Sequence, residues 1–301
     1  MLPFARVSVI GLGLIGSSIV RAVRETMPTV HLSGHDADPL VRARVAELGL
    51  VDDLADTAGA AVTDADLVIL CVPPGAIGAV AREIADDVPA EAVVSDVGSS
   101  KAAVLAELLA ALPGRQIVPA HPVAGTEHSG PDAGFASLFQ GRWCIVTPPE
   151  RADPVAVERV TEFWRRLGSD IEIMDAAHHD RVLAITSHLP HLIAYTIVGT
   201  ASDMEEVTAS EVIKFSAGGF RDFTRIAASD PTMWRDVFLS NKDAVLEMLQ
   251  RFTEDLTMLQ RAIRWGDGEQ LFDLFTRTRA VRRSILEQGQ DDPAPDFGRK
   301  H

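Results

Sequence analysis

The stretch that decides the fold is Phe4-Ala5-Arg6-Val7-Ser8-Val9-Ile10-Gly11-Leu12-Gly13-Leu14-Ile15-Gly16-Ser17-Ser18. An apolar run over 4–10 ends in glycines spaced G-x-G-x-x-G and passes at once into a helical pattern over 17–25. A strand that turns through glycine into a helix leaves unpaired N–H groups, and the positive end of the helix dipole, facing a space that suits a pyrophosphate. The glycine pattern alone is weak; its surroundings make it specific. A second apolar segment, 30–35, closes on Asp36, where a carboxylate would accept from adenosine ribose hydroxyls. Gly11, Gly13, Leu14, Ile15, Gly16 and Asp36 are therefore the expected dinucleotide contacts. The acid favours NAD, because it would repel the extra phosphate of NADP.

Downstream, helical patterns over 39–48, 77–87 and 101–112 alternate with strand patterns over 67–72, 92–95 and 117–120. Such alternation predicts an α/β domain, a doubly wound parallel sheet of the Rossmann kind, with ligands beyond the carboxyl ends of the strands. Segments 142–147 and 170–174, separated by a helical stretch over 154–167, read as two more strands finishing that sheet. The boundary is expected near Asp175, giving an NAD-binding domain over 1–175. Beyond it strand signals vanish, and helical patterns cover 178–202, 205–215, 230–265 and 269–287, an all-helical domain over 176–287. Val182, Ile185, Leu189, Leu192 and Ile193 recur at helical spacing and predict a core face. Pro190 inside that segment should kink it and expose a carbonyl near His188 and His191. The tail over 288–301, rich in Asp, Pro and Gly, reads as disordered.

Among 301 residues, 28 basic and 43 acidic side chains give a net charge of −15, which repels polyanions and argues against nucleic acid or an anionic membrane as partner. Hydrophobic content of 47% matches an ordinary globular protein, and no apolar run suggests a membrane span. The first residues lead straight into the first strand, so a cytoplasmic location is expected. The two cysteines, Cys71 and Cys144, lie in apolar runs and make neither a disulfide framework nor a metal knuckle.

Four segments converge on the presumed crevice: the glycine loop, Cys71-Val72-Pro73-Pro74, Asp96-Val97-Gly98-Ser99-Ser100-Lys101, and His121-Pro122-Val123-Ala124-Gly125-Thr126-Glu127. Val72 and Pro73 should line the cofactor, and the topology sets Ser99 beside His121. His121 ends a strand and precedes proline, where its imidazole could take a proton from a hydroxyl being oxidised. In the helical half, Arg221 and Arg225 stand four apart after a diglycine and could grip a carboxylate. His178, His179, His188 and His191 invite a zinc reading. It is disfavoured, because no third carboxylate or thiolate clusters with them and Pro190 breaks their spacing. His178 and His179 read as surface residues at a helix start. No metal is expected.

Taken in order, Gly11 to Ser18, Asp96-Val97-Gly98-Ser99, His121 to Glu127, Ser187-His188-Leu189-Pro190-His191 and Gly219-Phe220-Arg221-Asp222-Phe223-Thr224-Arg225 resemble the prephenate and arogenate dehydrogenases of tyrosine biosynthesis. The resemblance runs from Val7 to about Leu249. It implies a Rossmann domain, a helical domain that makes a homodimer, and oxidative decarboxylation of prephenate to 4-hydroxyphenylpyruvate with reduction of NAD. It also implies roles. His121 would bond the ring hydroxyl and Ser99 would steady it, while Arg225 would hold the ring carboxylate. Arg221, where many relatives carry lysine, would meet the side-chain carboxylate; Thr126, His191 and Trp234 would line the substrate pocket; Glu127 and Asp222 would gate it. No appended regulatory or mutase domain is expected.

Prephenate and arogenate differ by a keto or amino group that the sequence does not distinguish. Two other readings stand beside these. A hydroxyacid dehydrogenase would need a lysine in the helical half, where only Lys214 and Lys242 precede the tail, both outside any glycine-rich motif. An NAD-sensing regulator without turnover is opposed by His121 and Ser99. Apolar spacing sets the expected subunit seam at 237–259, carried by Val237, Phe238, Val245, Leu246, Leu249, Phe252, Leu256 and Leu259.

Overall fold

The computed structural model describes residues 2–126, 128–203 and 218–287. Glu127, the helical pattern expected over 205–215, and the tail over 288–301 lie outside the described residues. By contacts the chain divides into two compact units, Met1–Leu246 and Glu247–His301.

In the first unit, β1 (Arg6–Ile10), β2 (His31–His35), β3 (Asp53–Leu54), β4 (Leu67–Leu70), β5 (Val93–Asp96) and β6 (Gln116–Ile117) form a parallel sheet. Its order is β3-β2-β1-β4-β5-β6. Helices α1 (Leu14–Thr26), α2 (Pro39–Leu48), α3 (Ala58–Val62), α4 (Pro74–Glu83) and α5 (Ala102–Ala111) connect the strands. Alternate residues face opposite ways. Val7, Val9, Leu67 and Ile69 join one buried cluster, and Ile10, Val68, Leu70 and Val94 join another on the opposite face. Both faces are covered, as all-parallel strands require. Chain order reverses between β1 and β4, which makes their carboxyl ends the crevice of this sheet.

The sequence expectation fails in one place here. Residues 117–120 do not form one strand, and 142–147 and 170–174 do not extend the parallel sheet. A separate sheet has the order β7-β8-β9, with β7 (Ala120–Pro122) antiparallel to β8 (Trp143–Val146) and β8 parallel to β9 (Asp170–Ile173). Pro119 sits at the transfer point. It has no N–H for a ladder, and its carbonyl accepts from Thr147 N of the second sheet at 2.9 Å, whereas Val118 N still donates to Val94 of the first at 2.9 Å. Helix α6 (Pro154–Arg166) follows β8 and closes over the first cluster with Phe163 and Trp164.

The next helical run is α7 (Ala176–Leu183), a π-helical turn over Ala184–His188, and α8 (Leu189–Asp203). The extra residue of a π turn rotates the faces on either side of it. As a result Ile185, expected in the core, is 49% exposed, and His188 is fully buried instead. Pro190, expected to kink the segment, lies in the first turn of α8, just after the π turn. The stretch Ala176–Asp203 is, among the described residues, long and apolar enough to cross a membrane, which no apolar run had suggested. Its buried positions nonetheless include His179, Asp180 and His188. The pattern over 230–265 is also interrupted: helices Pro231–Ser240 and Lys242–Trp265 are separated at Asn241. Of the expected seam, Val237 and Val245 are buried within the first unit, while Leu246 and Leu256 are exposed at 60% and 47%. The second unit also exposes Ile263, Trp265, Phe272 and Phe275.

Candidate active site

Three groups of residues converge around the crevice, all within the first unit. The first is the glycine loop between β1 and α1. Gly11 has φ of +96°, and an added Cβ would lie 2.5 Å from the Cys71 carbonyl oxygen of the neighbouring strand end. At Gly16 a Cβ would stand 2.0 Å from the Gly11 carbonyl oxygen. Both glycines are required by the protein's own packing. Gly13 differs, since a Cβ there would meet nothing within 4 Å. It is the N-cap of α1 with no side-chain cap, so the space before the helix end is left open and lined by main-chain donors. These features fit a dinucleotide pyrophosphate. Asp36 follows β2 and fixes the loop from the other side: its carboxylate accepts from Leu12 N at 2.8 Å and Asp38 N at 2.9 Å. A carboxylate with remaining lone pairs can still accept from a ribose hydroxyl. Val72 and Pro73 follow β4 at the same edge, half-buried and exposed.

The second group surrounds His121, which lies in β7 and is 6% exposed. Buried Lys101, just before α5, donates to Asp96 and, at 2.9 Å, to the Ala120 carbonyl. Lys101 thereby ties the end of β5 to β7 beside His121. Burial drives both charged partners toward neutrality, raising Asp96 and lowering Lys101, and each opposes that drift in the other. The His121 ring makes one hydrogen bond among the described residues, through Nδ1 to His179 Nε2 at 2.8 Å. His179 Nδ1 in turn meets Asp180 Oδ1 at 2.8 Å. Burial, with nearby His179 and Lys101, holds His121 far below the ordinary imidazole range, so it is uncharged at neutral pH. The reading of His179 as a surface residue is thus wrong. It is fully buried while His178 is exposed, because Asp175 caps α7 and the next turn brings 179 and 180 inward onto α5.

The third group comes from the helical part. Asn241, at the break between two helices, donates to the Asp180 carbonyl at 2.8 Å and contacts His188 Nδ1 at 3.1 Å. Donation from the amide leaves the His188 proton on Nε2, which is buried, near the Ser99 main chain, with no close hydrogen-bond partner among the described residues. Trp234 Nε1 is likewise buried with no partner among the described residues. Its indole stacks on His191 with ring centroids 3.6 Å apart and lies 6.1 Å from the His188 ring. The Ser187 carbonyl, in the π turn, accepts from His191 Nδ1 at 2.9 Å. Burial brings His188 and His191 each down to about 4, and the Arg225 guanidinium contributes to the lowering at His191. Arg225 therefore belongs to this group electrostatically. Orphaned buried donors beside a cation suit an anionic ligand.

The remaining candidates are more peripheral. Ser99 is half-buried in the loop after β5, with its main chain beside His188; the neighbouring Ser100 is buried and bonds Ser240 Oγ at 2.7 Å. Thr126 Oγ1 accepts from His128 N at 3.2 Å. Arg221 and Asp222 are exposed in helix Gly218–Thr224, and Arg225 begins the 3₁₀ turn Arg225–Ala228, so the arginines do not share one α-helix. Cys71 is only partly covered, Cys144 buried. Sequence reasoning missed Lys101, His179, Asp180 and Asn241. A polar cluster at the start of an otherwise apolar helix was the available signal for the middle two.

Comparison with known proteins bears on this arrangement. A model of the prephenate dehydrogenase nucleotide-binding domain matches residues 19–173, and one of the prephenate dehydrogenase dimerization domain matches 175–277. The chain belongs to the prephenate dehydrogenase family. Cyclohexadienyl dehydrogenase of Zymomonas mobilis is 43% identical over 285 residues, covering 95% of this chain and 97% of that protein. Prephenate dehydrogenase of Bacillus subtilis is 34% identical over 277 residues, covering 91% and 74%. Among solved structures, prephenate dehydrogenase from Aquifex aeolicus in complex with hydroxyphenyl propionate and NAD+ is 32% identical, with a TM-score of 0.86, covering 95% of this chain and 98% of that one. The two matches fall in turn on the α/β part of the chain and on its mostly helical part.

Proposed function

We infer that the chain is an NAD-dependent prephenate dehydrogenase, converting prephenate to 4-hydroxyphenylpyruvate and carbon dioxide. The observation that carries the reading is His121: a buried, uncharged imidazole at the sheet's edge, bonded through Nδ1 and, among the described residues, not through Nε2, which is left for a hydroxyl. The glycine loop and Asp36 would hold NAD, which when bound supplies the hydride acceptor. His121 Nε2 removes the ring hydroxyl proton as the ring C–H hydride departs. The ketone so formed lets the ring carboxylate leave as carbon dioxide; the electron pair of the broken C–C bond makes the ring aromatic and ends on the ketone oxygen, which then takes back the proton held by His121 Nε2. That loss needs no acid. A positioned base contributes about 10²–10⁴-fold.

Ser99 is assigned to steady the hydroxyl, Arg225 to the ring carboxylate and Arg221 to the side-chain carboxylate. Thr126, His191 and Trp234 are assigned to the pocket wall, with Glu127 and Asp222 as its gate. The NAD-binding domain is placed at 1–175 and the substrate and dimerisation domain at 176–287. The exposed apolar side chains of the second unit support a homodimer. A cytoplasmic enzyme without nucleic-acid or membrane partners accords with the charge of −15 and the polar residues buried along Ala176–Asp203. Following NADH absorbance with prephenate, and separately with arogenate, tests the reading. Prephenate-dependent NADH formation is expected. Absence of turnover with prephenate at saturating NAD overturns it.

A further inference from the structure

Behind His121 lies a chain of groups that the reaction itself does not call for: His179, then Asp180, then the first turn of α5. Resting on the function proposed above, we propose that His179 and Asp180 are positioning residues that hold His121 in its Nδ1–H tautomer, leaving the Nε2 lone pair for the substrate hydroxyl. The derivation begins at Asp180. Helix α5 has no side-chain cap of its own at Lys101. Asp180, from α7, supplies one: Oδ1 accepts from Lys101 N at 2.7 Å and Oδ2 from Ala102 N at 2.9 Å. A carboxylate facing N–H groups at a helix start is held as the anion, and an anion only accepts. His179 Nδ1, 2.8 Å from Oδ1, is therefore the donor in that contact.

The next link follows from proton counting. A neutral imidazole carries one ring proton, and His179 has placed it on Nδ1. Its Nε2 must then accept, and the atom 2.8 Å away is His121 Nδ1, which must donate. His121, itself neutral, is left with Nε2 unprotonated. The opposite arrangement needs a doubly protonated His179 in a fully buried position beside the Lys101 ammonium. The charged and titratable groups facing the two rings are Asp96 and Lys101 at the carboxyl end of β5, Asp180 on α7, His188 on the π turn, and Cys144 on β8. On balance burial and Lys101 outweigh the carboxylates, and His179 lies below the ordinary imidazole range.

The interposed ring has a chemical use. A carboxylate bonded directly to His121 would also fix its tautomer, but would raise its proton affinity more strongly. A neutral imidazole between them fixes the tautomer while keeping the full charge one residue away. When Nε2 takes the hydroxyl proton, the positive charge that develops on His121 is oriented toward His179 and the Asp180 carboxylate.

Histidine tautomers can be read directly by long-range ¹H–¹⁵N NMR of the full chain labelled at histidine, with His121 assigned through the His121→Asn spectrum. Wild type is expected to show His121 protonated on Nδ1. In His179→Leu the acceptor is lost and the Nε2–H form should appear, with kcat falling on the order of 10²-fold while substrate KM and NAD affinity hold. In His179→Gln the amide oxygen can accept from His121 and the amide NH₂ can donate to Asp180, so the Nδ1–H form and most of kcat should return. This variant also carries the test if the leucine protein fails to fold. A wild-type His121 protonated on Nε2, or a leucine variant that keeps both the tautomer and kcat, overturns the proposal. Because the spectrum requires no turnover, a protein inactive on prephenate would overturn the function reading and leave the tautomer assignment to be decided independently.

Discussion

Replacing Gly13 by alanine separates what the glycine loop does for a ligand from what it does for the fold. At Gly13 the backbone is at φ −70° and ψ −156°, which alanine can adopt, and a Cβ would meet no atom within 4 Å. Alanine is a poorer N-cap than glycine by up to about 1 kcal/mol, and the less flexible unfolded chain returns about 0.4–1 kcal/mol. Gly13→Ala should therefore melt within a few degrees of wild type. The new methyl would, however, project into the space where main-chain N–H groups would approach a pyrophosphate. Losing one or two such charge-assisted bonds, at about 1.5–3 kcal/mol each, should weaken NAD binding by roughly ten- to a hundredfold or more. Gly16→Ala is the contrasting case. Its Cβ would lie 2.0 Å from a main-chain oxygen, so backbone must move, and that variant should lose stability as well as affinity. Calorimetric titration with NAD, beside thermal unfolding, gives both quantities. A Gly13→Ala protein that melts normally and binds NAD with unchanged Kd would refute the assignment of that space to the cofactor.

Further outcomes follow from the other two groups. His121→Asn should fold and bind NAD yet lose about 10²–10⁴-fold in kcat, since asparagine can hydrogen-bond but cannot take the proton; near-normal turnover would remove His121 from the mechanism. Arg225→Gln should raise substrate KM by roughly ten- to a hundredfold and leave NAD affinity alone, and the reverse pattern would make the arginine a cofactor residue. His188 is fully buried, and burial lowers it from 6.5 to about 4. The unfolded chain then takes up the proton first, so its contribution is complete above about pH 6.5 and declines as pH falls toward 4. The loss is on the order of 3 kcal/mol. Thermal midpoints should drop over that interval, more in wild type than in His188→Asn, and equal pH slopes for the two proteins would contradict this.

The glycine loop was legible in the sequence because strand, turn and helix start are all local signals, and Asp36 falls where the second strand ends. The parallel sheet was legible for the same reason: alternation along each strand reports burial on both faces. Pro119 marks where this kind of reading stops. A run of apolar residues says that a segment is buried, but which sheet it joins is decided by partners such as Thr147, which lies far along the chain. The π turn is invisible to a periodicity of 3.6, and it is what exchanges Ile185 for His188 on the buried face. His179 shows the limit most clearly. Two histidines and an aspartate just after a helix cap look like a solvated first turn, and only the packing of α7 against the uncapped start of α5 turns two of them into buried polar residues.

The same packing gives the proposed site an electrical direction. A chain of net charge −15 offers a dianionic substrate no general attraction, so the local arrangement must both collect and orient it. At one end stand His121, His179 and the Asp180 carboxylate, with Asp96 close behind, a region that disfavours another anion but suits a neutral hydroxyl. At the other stand Arg225, His191 and the buried Trp234 Nε1, which has no hydrogen-bond partner among the described residues, with His188 between the two ends. Charge interactions strengthen where water is excluded, so the two ends discriminate more sharply as the pocket fills. A ligand with a hydroxyl across the ring from a carboxylate is then oriented by the field, with its hydroxyl toward Nε2.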